Sequence, residues 1–262
     1  MNRKENKRSI TFTDLLTMLP DPELTDADIE VVVTDFEVDE DNGLIRAEKL
    51  KDEGKTVLGI GILPFAAVGD KGLLDALARC KQLYQIADGC VLVNRESLRS
   101  KISPSSLSFS EEIESVEEEV DKIILNIRKG LSNILLPGKI NIESSVLREV
   151  LRDCGTLLIV RGAGTGADKM ENALKEAFDK AEKERFDITT ARKLVIKILI
   201  SNGTELKMDE LGKFQQFISL LPNNVEVIFG VSDTYNDMAE LEIVILATGV
   251  NVVLREDKKY LF

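Results

Sequence analysis

Apolar residues follow two rhythms along these 262 residues, and the two alternate. Short runs rich in β-branched side chains, "IEVVVTDF" (29–36), "KTVLGIGILPF" (55–65) and "GCVLVN" (89–94), predict buried strands. Pro64 closes the second run. Between the strands, Leu44, Ala47 and Leu50 suggest a short helix, and "GLLDALARCKQLYQIA" (72–87) carries apolar residues at helical spacing. Strands alternating with helices predict a parallel sheet covered by helices.

The stretch 95–109, with "KISPSSLSF", reads as a loop. Over 110–135 the apolar positions Ile113, Val116, Val120, Ile123 and Ile127 step by three and four, which is the stripe of a long helix. At 1.5 Å per residue that helix is ~39 Å long, enough to span a domain. Its first half is acidic and Lys122, Arg128 and Lys129 follow, an order that complements the helix dipole. Pro137 and Gly138 stop it. Further on, "ESSVLREVLRDCG" predicts a helix, "TLLIVRG" a strand, "DKMENALKEAFDKAEKERF" a helix and "KLVIKILISNG" a strand. "KMDELGKFQQFISLL" then predicts a helix, "VEVIFGVSD" a strand and "LEIVILATGVNVVL" one final strand. The chain divides into an N-terminal extension (1–27), a first α/β layer (28–109), a central helix (110–136) and a second α/β domain (137–262).

Charge narrows the partners. Forty-six acids against 34 bases give a net charge of −12, a field that repels nucleic acid and anionic membranes. The basic cluster Arg3, Lys4, Lys7 and Arg8 lies in the N-terminal extension and reads as solvent-facing tail. No apolar run follows it, and "IVILATGVNVVL" is too short and too polar to span a bilayer, so a cytoplasmic protein is expected. There is no histidine, which removes His-dependent nucleophile systems and His-liganded metals. Cys80, Cys90 and Cys154 have no C-x-x-C spacing, so neither a disulfide frame nor a zinc site is expected, and the compartment is reducing.

The stretch "RGAGTGADK" (161–169) alternates glycines with small residues between a strand pattern and a helix pattern. It reads either as an anion-binding loop at a helix N-terminus or as a tight structural turn. Asp168 and Glu171 already answer the helix dipole there and repel phosphate, and the spacing is not that of a dinucleotide fingerprint. The turn is the better reading. "EGKT" (53–56) is no P-loop, because position 49 is Lys49 where a glycine is needed.

Seven fragments in order resemble the bacterial tubulin homologue FtsZ over about residues 29–254: "TVLGIGILPF", "IADGCVLVNRESL", the helix at 110–135, "LPGKINIESSVLREVLRDCG", "GTGADKMENALKEAF", "TARKLVIKILISNG" with "EVIFGVSD", and "VILATGV". The resemblance implies an α/β, truncated tubulin/FtsZ-like fold: a mostly parallel sheet layer, the long central helix and a second α/β domain. In that family the phosphate-gripping glycine signature precedes the strand ending in Pro-Phe. Here that place reads "TDFEVDEDNGLIRAE", acidic with one glycine. The family's ribose- and guanine-contacting Glu and Arg after Pro64-Phe65 are replaced by Ala67, Val68, Gly69 and Gly72.

Nucleotide contacts carried over by the resemblance are Asn94, Asp121 and Gly69, although Asn94 and Asp121 read equally as a cap and a surface polar residue. The family's catalytic loop, N-x-D-x-x-D, reads Asn141, Glu143, Val146 here, with one acid lengthened and one lost. Glu149, one turn later, is an alternative acid. Loss of a water-positioning group in phosphoryl transfer costs orders of magnitude in rate. The expectation is therefore an FtsZ-like cytoskeletal or cell-division protein without GTPase activity or cofactor. It would assemble with itself or with a filament of a full-length relative, and bind neither nucleic acid nor membrane directly. The alternatives are a divergent, polymerising GTPase that holds GTP or GDP, and an unrelated α/β enzyme.

Overall fold

The computed structural model describes Leu24 and residues 26–38, 41–102, 108–234 and 239–252. The basic cluster and the rest of the expected extension, apart from Leu24, Asp26 and Ala27, lie outside these, as does the end of the chain after Val252. The elements, in chain order, are β1 (Ile29–Asp35), α1 (Asn42–Asp52), β2 (Thr56–Leu63), α2 (Gly69–Ile86), β3 (Gly89–Asn94), α3 (Arg95–Arg99), α4 (Phe109–Leu135) and α5 (Ser144–Leu151). There follow β4 (Gly155–Gly164), α6 (Lys169–Lys183), β5 (Phe186–Asp187), β6 (Lys193–Ser201), α7 (Met208–Leu220), β7 (Glu226–Thr234), β8 (Leu241–Thr248) and β9 (Asn251–Val252).

One seven-stranded sheet runs in the order β1-β2-β3-β4-β8-β6-β7. The first four strands are mutually parallel and β7 is parallel to β6, but β8 is antiparallel to both of its neighbours. Only two residue pairs join β3 to β4, Gly89 with Gly155 and Cys90 with Thr156. The sheet is thus continuous but narrow-waisted at that seam.

Two expectations need correction. The stretch 95–109 is not all loop, because α3 forms directly after β3. Its start is capped by Asn94, whose Oδ1 accepts from the Ser97 amide at 3.1 Å. The final strand is not continuous either. Gly249 takes φ +66 and turns the chain out of the ladder, and β9 then pairs antiparallel with β5.

Helix α4 holds the two halves of the sheet together. It starts in a reciprocal cap, with the Glu111 carboxylate accepting from the Ser108 amide at 2.7 Å and Ser108 Oγ accepting from the Glu111 amide. Val116, Val120, Ile124, Ile127, Leu131 and Ile134 form its buried stripe, and each is worth on the order of 2 kcal/mol in apolar burial. That stripe packs in one cluster with Ile29, Val31, Leu58 and Ile60 of the first half and with Leu157, Val195, Val244 and Leu246 of the second. On the opposite face, α1 and α2 cover Val32, Val57 and Cys90, while α6 and α7 cover Leu194, Ile196, Ile243 and Ile245.

Candidate functional site

In a parallel sheet the ligand crevice lies outside the carboxyl ends of the strands, where backbone N–H groups and helix N-termini converge. Here that position, beyond β1, β2 and β3, is built around Arg95. Arg95 is 5% exposed, and its guanidinium is engaged on two sides. Nη1 and Nη2 donate to the two carboxylate oxygens of Asp35, at the end of β1, at 2.9 and 2.7 Å. Nε and Nη2 donate to Glu117 of α4 at 2.7 and 3.1 Å. Glu37 stands 3.9 Å away, and the Phe65 ring lies beneath the guanidinium with its centroid 5.7 Å off. Burial opposes the charge, but the hydrogen bonds from Asp35 and Glu117 outweigh it and hold the pKa of Arg95 above its ordinary value.

The connection from β1 to α1 reads "DFEVDED". A second arginine, Arg79 of α2, donates to the Phe36 carbonyl, pairs with Asp41 at 3.6 Å and lies over the Phe36 ring. Both guanidiniums are thus committed to the chain itself. A triphosphate needs converging N–H donors or cations, and this connection supplies carboxylates instead.

Gly69 opens α2 at the end of β2, with φ +74 and open space around it. Asn94 ends β3, with its side chain turned to the α3 cap. Asp121 lies one turn along α4 from Glu117. Gly69 and Asn94 lie at the crevice end of the first half. Asn141 and Glu143 do not, because they follow the other end of α4. From Asp121 to Leu135 the helix axis alone is about 21 Å. Asn141 Oδ1 accepts from the Gly138 amide at 2.7 Å and shapes the turn after α4, while Glu143 is exposed at the start of α5. Asp26, Ala27, Leu135, Pro137, Asn141 and Glu143 are among the residues lining a shallow cavity of about 350 Å³. Within one chain the two groups are therefore held apart.

The glycine corner resolves into packing. Gly162 and Gly164 lie within β4, not in a loop. A Cβ at Gly162 would sit 1.9 Å from the Ala173 carbonyl oxygen, and one at Gly164 equally close to the Lys169 carbonyl, so these glycines let α6 lie directly on the strand. Gly166, with φ +76 and open surroundings, makes the turn. Lys169, the base nearest to this turn, is buried and pairs with Glu210 of α7 at 2.7 Å. Burial opposes the charge on Glu210, but Lys169 and the Lys207 amide hold its carboxyl below the usual range. Asp168 is in turn bridged to Lys213.

Sequence reasoning missed Arg95, Asp35, Glu117 and Lys197. Lys197 had a signal: it is the one charge inside the apolar run "LVIKILIS". Arg95 had none, because an arginine just past a strand reads as surface. Among the described residues no group of three or more His, Cys, Asp or Glu is placed to hold a metal ion, and no helix is long and apolar enough to cross a membrane.

A narrow-waisted α/β sheet with one long helix behind both halves is the FtsZ/tubulin fold. Known structures agree. An FtsZ mutant from M. jannaschii superposes with TM-score 0.67 at 21% identity, covering 87% of this chain and 68% of that one. CetZ2 from Haloferax volcanii, in a GTPγS-bound protofilament, gives 0.59 at 16% identity over 86% of this chain and 66% of that one. No family model matches the chain. In sequence it is 26% identical over 196 residues to the cell division protein FtsZ of Porphyromonas gingivalis, covering 74% of this chain and 42% of that protein. The chain is similar in sequence to FtsZ proteins and has the FtsZ/tubulin fold. It spans about half the length of the curated relatives it matches.

Proposed function

We propose that the chain is an FtsZ-like structural subunit that works by assembly, with itself or with a filament of a longer relative, and does not hydrolyse GTP. The observation that carries this reading is the acidic closure of the crevice, where Arg95 lies between Asp35 and Glu117 with Glu37 beside it. Charges of the same sign as a triphosphate line the place a triphosphate would occupy, and repulsion in a partly desolvated site is strong. Assembly is supported by the CetZ2 and TubZ neighbours, which were solved as protofilaments. It is also supported by Glu143, which is exposed past the far end of α4, away from the crevice.

The test is to denature freshly purified protein and assay the supernatant for guanine nucleotide, then to follow light scattering and thermal unfolding with and without Mg-GTP. The expected result is well below one nucleotide per chain and an unchanged melting temperature. A ligand at a hundred times its Kd would add about 2.7 kcal/mol. Stoichiometric bound GDP, or scattering that depends on GTP, would favour the polymerising GTPase instead. Co-sedimentation with a full-length FtsZ from the same cell tests the assembly half, and a clean failure at micromolar concentrations together with a monomer in solution would remove it.

A further inference from the structure

Helix α4 is held at both ends by cations that come from elsewhere in the chain. At its N-terminal half, Arg95 joins three elements: the end of β1 through Asp35, its own β3–α3 junction, and α4 through Glu117. Arg99 of α3 adds a second grip on the helix, donating to both oxygens of Glu112 at 3.0 and 3.2 Å. At the other end, Lys197 stands fully buried in the middle of β6, and its Nζ donates to the Leu136 carbonyl at 2.7 Å. That carbonyl belongs to the residue that caps the helix C-terminus, where the dipole favours a cation. Ser232 Oγ of β7 donates to the same oxygen at 2.8 Å.

The chain past the helix is seated just as closely. A Cβ at Gly138 would lie 2.4 Å from both Ser232 Cα and the Val231 carbonyl, and Ile140 exchanges two backbone hydrogen bonds with Val231. The apolar stripe of α4 does not itself select one position along the sheet, since aliphatic side chains repack at small cost. Charge-assisted hydrogen bonds are directional and do select one.

We propose that these two contacts form a two-ended clamp that sets the position of α4 between the two halves of the sheet without any bound ligand. Arg95 is the positioning residue above and Lys197 the one below. From Glu117 to Leu136 the clamped points are about 28 Å apart along the helix. The clamp stands apart from the nucleotide reading, since a chain that bound GTP elsewhere would still carry it.

Amide hydrogen exchange on the full chain, read by mass spectrometry at neutral pH, tests the clamp. Arg95→Met is expected to speed exchange in the first half of α4 at least tenfold more than in α6 and α7. Lys197→Met is expected to speed exchange in the last turn of α4 by a similar factor without speeding it in the first half. Arg95→Lys, which keeps the charge and loses the fork, serves if the methionine variant does not fold, and its expected acceleration lies in the same peptides. Glu114→Gln, at an exposed position on α4, is the control and is expected to match wild type. Uniform acceleration across the chain, or α4 peptides within twofold of wild type in both variants, would overturn the proposal. Addition of Mg-GTP to wild type tests the nucleotide reading alone, so the two can fail separately.

Discussion

Two corners of this molecule change roles between sequence and structure. The β4–α6 corner has the glycines of a phosphate loop, yet uses Gly162 and Gly164 to bring a helix backbone against a strand and ties its lysine to Glu210. The β1–α1 corner lies beyond the carboxyl ends of the strands, where a parallel sheet offers a ligand crevice, yet is acidic and closed by Arg95. Glycine content reports how closely backbones approach, and only the neighbours decide whether the space goes to a ligand or to a helix. The two corners also treat cations alike: Lys169 and Arg95 are both buried and both satisfied by carboxylates.

The sharpest way to break this comparison is Gly162→Val. A side chain there collides with backbone rather than with a movable side chain, so a loss of about 4 kcal/mol is expected in urea unfolding. A loss under about 1 kcal/mol would mean that α6 is not seated as described. Arg95→Met comes next. It leaves Asp35 and Glu117 facing each other without a cation, at a cost of about 3 kcal/mol by the same measurement.

Lys197 sharpens the contrast because this buried cation donates to a backbone carbonyl, that of Leu136. Burial pushes its pKa down to about 8. In the native state it therefore loses its proton between about pH 8 and 10.5 while the unfolded chain keeps it, and stability contributed at this site rises with pH across that window. Lys197→Met is expected to stabilise the protein by about 2 kcal/mol at pH 7, and the gain should shrink towards pH 10. A gain that does not change with pH would refute the titration. The same variant loosens the last turn of α4, so global stability and local exchange should move in opposite directions.

Smaller effects complete the series. Gly166→Ala meets open space but a positive φ, and should cost about 1 kcal/mol, far less than its neighbour two turns of the pleat away. Thr34→Val should stabilise by about 1 kcal/mol, because Thr34 Oγ1 is fully buried without a hydrogen-bond partner among the described residues. Unfolding curves of the two variants, compared with wild type, check both.

Much of the fold was legible in the apolar rhythm. The strand runs of β1, β2 and β3 and the stripe Val116, Val120, Ile127 of α4 appear where the apolar pattern puts them, because the spacing of apolar residues is a local property of the sequence. The order of resembling fragments carried the fold family for the same reason. The direction of β8, the break at Gly249 and the pairing of β9 with β5 were not legible, since they depend on which edges meet. Of the site residues, chain order alone puts Asp121 within α4 and Asn141 with Glu143 past its C-terminal end. That Arg95, sixty residues from Asp35, closes the crevice between β1 and α4 was decided only by tertiary structure. An ion pair is a relation in space, and a sequence names its members without saying that they touch.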